Sequence, residues 1–224
     1  LKVANRFLNE LLTNFITSNA ALLSVAVSFF MFGYLLLDKF KPIKFELFEW
    51  YPSPQIIFEF YLDGLSGVMM ILISGLSLVI QLFSTSYMSK DEKYTKYFEY
   101  FNFFVFSMLL LVLSGNFLVM FFGWELVGLS SYLLISFWYE KNSAAKAGNK
   151  AFILNRIGDF GFLIGLMMIL NYFETFNFVN IFESVLIKQP SNLDLIILFL
   201  LLGAFGKSAQ FPLFSWLPDA MEGP

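Results

Sequence analysis

The sequence contains no cysteine and no histidine. Without cysteine it can form neither a disulfide framework nor a thiolate metal site. Without histidine it lacks the commonest metal ligand and acid–base group. The net charge is −3 and the basic residues are scattered along the chain, so no basic stripe is available to bind nucleic acid. We therefore predict no metal site and no nucleic-acid partner.

Charge is also scarce. Only 14% of the 224 residues are charged, whereas 58% are hydrophobic and the mean hydropathy is +0.71. Soluble domains carry about 25% charged residues, so a single soluble domain could not hide this much apolar surface from water. The composition predicts an all-α membrane protein with lipid as its solvent.

Six segments are apolar enough to span a bilayer, for which about 20 residues suffice. These segments are residues 15–37, 61–88, 97–114, 117–139, 150–172 and 194–217. Pro212 lacks a backbone donor and would clash with the carbonyl of Ser208, so the last helix is predicted to be discontinuous near the proline. Residues 1–60 then form an N-terminal helix with an extramembrane loop, and residues 61–224 form the transmembrane bundle.

The loops between these helices carry two further signals. The alternation of apolar and polar residues at 43–47 predicts a short strand or hairpin outside the membrane. Basic residues are more frequent on the side of the N-terminus, which predicts that this side is cytoplasmic or matrix-facing. With alternating helices that side holds Lys2, Arg6, Lys90, Lys93, Lys96, Lys141, Lys146 and Lys150, and the opposite side holds Lys39, Lys41, Lys44 and Lys188.

Two charged residues lie deep inside predicted helices. Glu125 is roughly 12 Å from the start of its helix and Lys207 roughly 20 Å from the start of the last one, at about 1.5 Å per residue. A charge at the bilayer centre costs at least roughly 2.5–3.5 kcal/mol, so we interpret both as proton-carrying groups. The alternatives are a structural ion pair for Glu125 and a lysine that snorkels to the interface.

Arg156 and Asp159 form a third charged site, within the helix predicted at 150–172. Their i, i+3 spacing lets them pair on one face, and a self-neutralising pair is less costly than a lone charge. A structural role therefore competes with a functional one here. Gly161 and Gly165 in the same helix form a Gly-x-x-x-Gly pattern, which indicates close helix packing.

Four motifs resemble the subunit 5 family of respiratory complex I. They are DGLS at 63–66, GWELVGLSSYLLI at 123–135, KAFILNRIGD at 150–159 and GKSAQFPLFSWLPDAMEGP at 206–224. The resemblance implies an antiporter-like, proton-pumping membrane-arm subunit built from inverted repeats that each contain a broken helix. It assigns proton translocation and charge coupling to Glu125, Lys207, Asp159 and Arg156, with Glu125 and Lys207 as a coupled pair.

The resemblance also implies the setting of the chain. FMN, iron–sulfur clusters and ubiquinone would be bound by other subunits, and this chain would bind no cofactor. Its partners would be other membrane-arm subunits and lipid, in the mitochondrial inner membrane. Because the matching repeat is one helix short at Pro224, we expect a separate polypeptide to complete the subunit.

Two other functions stay open at this stage. The chain could be a subunit of a multi-subunit sodium/proton antiporter, which resembles the same family. It could also be a structural scaffold whose repeat no longer conducts protons. Exchange of Glu125 for glutamine distinguishes a proton conductor from a scaffold. If the chain is only a scaffold, the complex should still assemble and pump protons normally.

Overall fold

The computed structural model describes residues 2–52, 55–187 and 192–224. Within these ranges the chain forms seven α-helices, one two-stranded sheet and two 3₁₀ turns. The elements in chain order are α1 (Lys2–Leu37), β1 (Ile43–Pro52), β2 (Gln55–Leu62), α2 (Gly64–Tyr87), α3 (Tyr94–Val112), α4 (Phe117–Ile135), α5 (Asn142–Phe173), α6 (Phe178–Ile187), α7 (Leu193–Lys207) and the 3₁₀ turns Phe214–Trp216 and Asp219–Glu222. The expected all-α membrane class is confirmed, with one small hairpin added.

Four of the described helices are long and apolar enough to cross a membrane: residues Glu10–Leu37 of α1, and the whole of α2, α4 and α5. Helix α3 packs against α2 and α4, and α7 packs along α5. At 15 residues, α7 is about 22 Å long, which is shorter than the roughly 30 Å hydrocarbon core. The predicted last span is therefore a helix too short to cross the hydrocarbon core, and its last residue, Lys207, lies inside the bundle.

The predicted break in the last helix is confirmed, and it comes earlier than Pro212. Helix α7 ends at Lys207, and the two 3₁₀ turns follow it without a return to α-helix. A proline clashes with the carbonyl four residues before it, which here belongs to Ser208, the C-cap of α7. The predicted continuation of this helix to residue 217 is wrong for the same reason.

Several other boundaries also differ from the sequence-based expectation. The first helix begins at Lys2 rather than at residue 15, and the helix predicted from residue 150 begins at Asn142. The segment between the spans predicted at 150–172 and 194–217 contains α6, and residues 188–191 of that segment lie outside the described residues. The second span begins at Gly64 instead of residue 61, because Asp63 caps it: the Asp63 side chain accepts from the Ser66 backbone at 2.8 Å.

The hairpin predicted at 43–47 is present and longer than expected. Strands β1 and β2 are antiparallel, with Ile43 opposite Leu62 and Phe45 opposite Phe60. Register irregularities occur between Glu46 and Phe48 and between Glu49 and Tyr51. The apolar run at the end of β2 had been assigned to the following helix, because a short apolar run does not reveal its period.

Glu59 in β2 ties the hairpin to two other loops. Its backbone carbonyl accepts from Gly115 N–H at 3.0 Å, and its carboxylate accepts from Asn177 Nδ2 at 2.7 Å. Asn116 adds a bond from Nδ2 to the Ile57 carbonyl at 2.8 Å. The hairpin, the α3–α4 turn and the α5–α6 loop therefore lie on the same side of the bundle, as helices that alternate in direction require.

Glycines set the closest helix approaches. A Cβ on Gly123 would lie 2.8 Å from the backbone nitrogen and Cα of Leu111, so α4 and α3 touch through backbone. A Cβ on Gly158 would lie 3.0 Å from the Cα of Gly206, which brings α5 and α7 equally close. The Gly161/Gly165 pattern is confirmed as packing, since it faces Leu202 and Leu200 of α7.

Gly123→Ala tests the α3–α4 contact. The new methyl group would meet backbone that cannot rotate away, so we expect a loss of about 1–3 kcal/mol in unfolding free energy, the usual cost of overpacking. Thermal unfolding in detergent micelles measures it. Gly75→Ala is the matched control, because a Cβ on that helical glycine meets nothing within 4 Å. Equal melting temperatures for the two variants would contradict the close contact.

Glu59→Gln tests the buried acid of the hairpin. Burial raises the pKa of Glu59 above its usual 4.5, and the Asn177 bond and Lys44 offset this only in part. The folded state then binds the proton more tightly than the unfolded chain, so stability falls as pH rises from 4.5 through the raised pKa. We expect Glu59→Gln to remove this slope from the thermal unfolding profile. Glu49→Gln, on an exposed position of β1, should leave the slope unchanged.

Candidate functional site

All four charged residues predicted from the sequence lie on three adjoining helices. Glu125 is on α4, Arg156 and Asp159 are on α5, and Lys207 is the last residue of α7. Helix α5 packs against both α4 and α7. The structure thus brings the four charges into one cluster at the point where α7 ends.

The first ion pair of the cluster joins α4 to α5. Arg156 Nη1 donates to Glu125 Oε2. The arginine side chain is 44% exposed, and its guanidinium also lies 4.7 Å from the ring centre of Phe152. This pair is therefore at the accessible edge of the cluster.

The second ion pair joins α5 to α7 and is deeper. Asp159 is 4% exposed, and its Oδ2 lies 3.8 Å from Nζ of Lys207. That separation gives Coulomb attraction without a hydrogen bond. Nζ of Lys207 is buried and has no hydrogen-bond partner among the residues that the structure describes. The other oxygen of the acid, Asp159 Oδ1, accepts from Trp124 Nε1 at 2.6 Å.

A glycine on α4 makes room for the lysine head group. A Cβ on Gly128 would lie 2.5 Å from Nζ of Lys207, so no larger residue fits there without moving the ammonium. Nζ also lies 5.8 Å from the ring centre of Trp124. The ammonium is therefore enclosed by the Gly128 notch, the Trp124 ring and the Asp159 carboxylate.

The end of α7 is satisfied locally. Ser208 N–H donates to the Ala204 carbonyl and Gln210 N–H to the Phe205 carbonyl, both at 2.9 Å. Trp216 from the first 3₁₀ turn donates its Nε1 to the Gly206 carbonyl at 3.0 Å. Lys207 is in the last turn of α7, where the negative end of the helix dipole attracts a cation.

Both ion pairs of the cluster join different helices. The sequence allowed Arg156 to pair with Asp159 on α5, and the family resemblance implied electrostatic coupling between Glu125 and Lys207. The structure instead pairs Glu125 with Arg156 and Asp159 with Lys207, because α5 lies between the other two helices. Glu125 and Arg156 still lie within electrostatic range of Lys207. The proton-carrying roles of the four residues stay a prediction.

Trp124 and Gly128 were not selected from the sequence as site residues. The signal for Trp124 was its position in the middle of a predicted span, where an indole N–H needs an acceptor that lipid does not supply. Gly128 gives no such signal in the sequence. Its role depends on the partner helix, which the sequence does not show.

Comparison with known proteins identifies the family to which the chain is similar. Residues 114–224 match a family model described as "NADH:quinone oxidoreductase/Mrp antiporter, TM", and residues 50–98 match one described as "NADH-Ubiquinone oxidoreductase (complex I), chain 5 N-terminus".

Relatives with curated names agree with these matches. NADH-ubiquinone oxidoreductase chain 5 of Metridium senile is 40% identical over 210 residues, which cover 93% of this chain and 35% of that protein. NADH-quinone oxidoreductase subunit L of Mycobacterium tuberculosis is 42% identical over 186 residues, which cover 82% of this chain and 29% of that protein. The chain spans about a third of the length of these relatives.

Solved structures share the fold. The Mrp complex from Dietzia sp. DQ12-45-1b contains a chain that superposes with a TM-score of 0.81 at 24% identity, covering 98% of this chain and 24% of that one. An archaeal membrane-bound sulfane sulfur reductase gives a TM-score of 0.75 at 22% identity, covering 97% and 45%. At these identities the likeness concerns the fold alone.

Asp159→Asn tests the buried ion pair. Removing one partner leaves an uncompensated ammonium, so we expect a loss of about 3–5 kcal/mol in unfolding free energy. Adding Lys207→Met to Asp159→Asn should recover most of that loss, since no buried charge then lacks a partner.

The Lys150–Asp219 pair offers the matched control. It has a 2.7 Å separation and side chains 42% and 46% exposed. Asp219→Asn should cost only about 0–1 kcal/mol, as solvated pairs do. Thermal unfolding of the purified protein compares the three variants with the wild type. A double variant as unstable as Asp159→Asn alone would contradict the pairing.

Proposed function

Because the chain belongs to the family of antiporter-like membrane subunits that includes chain 5 of NADH:ubiquinone oxidoreductase, we propose that it is a proton-translocating segment of complex I. In this proposal it couples electron transfer between NADH and ubiquinone, carried out by other subunits, to proton pumping. The chain itself contributes charges that bind and release protons. It does no redox chemistry.

One observation supports this proposal above the others: the buried ammonium of Lys207 at the end of a broken helix. It is held by attraction to Asp159 at 3.8 Å and has no hydrogen-bond partner in the described part of the chain. An ammonium has three donors, and none is committed to a protein acceptor here. Such a group can pass a proton to water or to a base without first breaking a hydrogen bond to the protein.

The charge balance of the cluster supports a cycle. Glu125 and Asp159 carry two negative charges when ionised, and Arg156 and Lys207 carry two positive ones. Loss of a proton from Lys207 leaves one uncompensated negative charge, which attracts the next proton. Coulomb energies in a membrane interior greatly exceed those in water, so a change in a neighbouring charge is felt strongly at this site.

The setting of the chain is part of the proposal. We place it in the mitochondrial inner membrane, beside other membrane-arm subunits, because the relatives from Metridium senile and Acanthamoeba castellanii carry the name of the ubiquinone enzyme. Flavin and iron–sulfur clusters are assigned to other subunits, since this sequence has no cysteine and no glycine-rich dinucleotide loop after a strand.

A sodium/proton antiporter subunit is the second candidate, since the family description of residues 114–224 includes Mrp antiporters. The two functions differ in what drives transport. Pumping that requires NADH and stops with a quinone-site inhibitor identifies the first. Sodium–proton exchange driven by a sodium gradient without NADH identifies the second.

Glu125→Gln and Lys207→Met test proton translocation in the assembled complex. We expect both variants to lose most of the proton pumping per NADH oxidised, because each removes a charge on which the cycle depends. The measurement is acidification of vesicles together with the rate of NADH oxidation. Glu140→Gln is the control, since Glu140 pairs with Lys93 at 2.7 Å on an exposed loop. Full pumping by both variants in a fully assembled complex would favour the scaffold function.

A further inference from the structure

Trp124 contacts both members of the buried ion pair. Its indole N–H donates to Asp159 Oδ1 at 2.6 Å, while Asp159 Oδ2 faces Nζ of Lys207 at 3.8 Å. The same indole ring lies 5.8 Å from Nζ. One side chain thus binds one oxygen of the acid and covers the ammonium that the other oxygen attracts.

The indole has little freedom to move. It stacks on Phe162 with ring centres 5.0 Å apart and planes at 23°. Phe162 is 4% exposed and stacks in turn on Phe121 at 5.7 Å. Since Phe162 lies three residues after Asp159, the aromatic shelf and the acid share one face of α5. The N–H of Trp124 is therefore aimed at Asp159 by packing that does not involve the charges.

A hydrogen bond to a carboxylate has two effects on the lysine. It fixes the carboxylate so that Oδ2 and not Oδ1 faces the ammonium. It also draws negative charge toward Oδ1, so less negative charge is left on Oδ2 to attract the ammonium of Lys207. The 3.8 Å separation, too long for a hydrogen bond, is consistent with an acid already bound by a second donor.

We propose that Trp124 is a positioning residue which, by holding Asp159 Oδ1, sets how tightly the buried ammonium of Lys207 is bound. Trp124 takes up no proton and acts only through Asp159. The proposal rests on the proposed function for its consequence, which is the pH at which the site exchanges protons. Its structural part, the control of the Asp159–Lys207 attraction, can be tested without any pumping.

Trp124→Phe is the decisive variant. Phenylalanine keeps a ring that can stack on Phe162 and cover the ammonium, and it removes only the N–H donor. Trp138→Phe is the matched control. Trp138 also donates its Nε1 to an aspartate, Asp91 Oδ2 at 2.8 Å, but in the loop region remote from the cluster.

The first measurement is the coupling between Asp159 and Lys207 in the assembled complex. Melting temperatures of Asp159→Asn, Lys207→Met and their double variant give this coupling in the wild-type, Trp124→Phe and Trp138→Phe backgrounds. We expect the coupling to change in the Trp124→Phe background and to stay the same in the Trp138→Phe background. An equal coupling in all three backgrounds overturns the proposal.

The second measurement is the pH dependence of proton pumping per NADH oxidised. Trp124→Phe should shift the profile, Trp138→Phe should not, and Trp124→Phe should add no shift to Asp159→Asn. A shift of the same size in the Asp159→Asn background means that Trp124 does not act through the acid, which overturns the proposal. If Lys207→Met pumps normally while the melting-temperature coupling responds to Trp124→Phe, the proposed function fails and the positioning role stands.

Discussion

The ammonium of Lys207 inside the helix bundle is the constraint on which the surrounding structure depends. A lysine at the bilayer centre costs at least roughly 2.5–3.5 kcal/mol, so it needs a nearby anion and no steric obstacle. Asp159 supplies the anion, but only because α5 and α7 touch through Gly158 and Gly206. Gly128 on α4 supplies the space. Glycines on three helices are therefore needed to accommodate a single buried charge.

The break in α7 serves the same constraint. Because the helix ends at Lys207, this residue lies in the last turn, where the negative end of the helix dipole stabilises a cation. Trp216 binds the Gly206 carbonyl from the segment that follows, so the end is held in place without continuing the helix. Pro212, which is visible in the sequence, thus has an electrostatic consequence, because the end of α7 before it places Lys207 at the negative end of the helix dipole.

The sequence-based predictions succeeded where a feature depends on local interactions and failed where it depends on contacts between distant parts of the chain. The membrane class, the four charges and the break before Pro212 depend on composition or on one residue and its near neighbours, and the first and last of these are confirmed. The ion-pair partners depend on which helices adjoin, so the i, i+3 spacing of Arg156 and Asp159 was compatible with a pair that the structure does not form. The predicted start of α2 at residue 61 was wrong, because apolar residues such as Tyr61 and Leu62 fit the end of a strand and the start of a helix equally well. Helix α6 is absent from the predicted spans because ten residues are too few to cross a bilayer.

The same four charges can pair in two ways. The observed ion pairs are Glu125 with Arg156 and Asp159 with Lys207, and the other arrangement would pair Arg156 with Asp159 and Glu125 with Lys207. Both arrangements are neutral, so neither leaves a buried charge without a counter-charge. Asp159 is fixed by the N–H of Trp124 and is almost fully buried, whereas Lys207 ends in a flexible four-carbon stem with no hydrogen bond to break. Lys207 is thus the one of the four charged groups that no hydrogen bond to a described residue restrains. In the proposed function, its attraction to Asp159 and to Glu125 is what a charge outside the cluster would have to change.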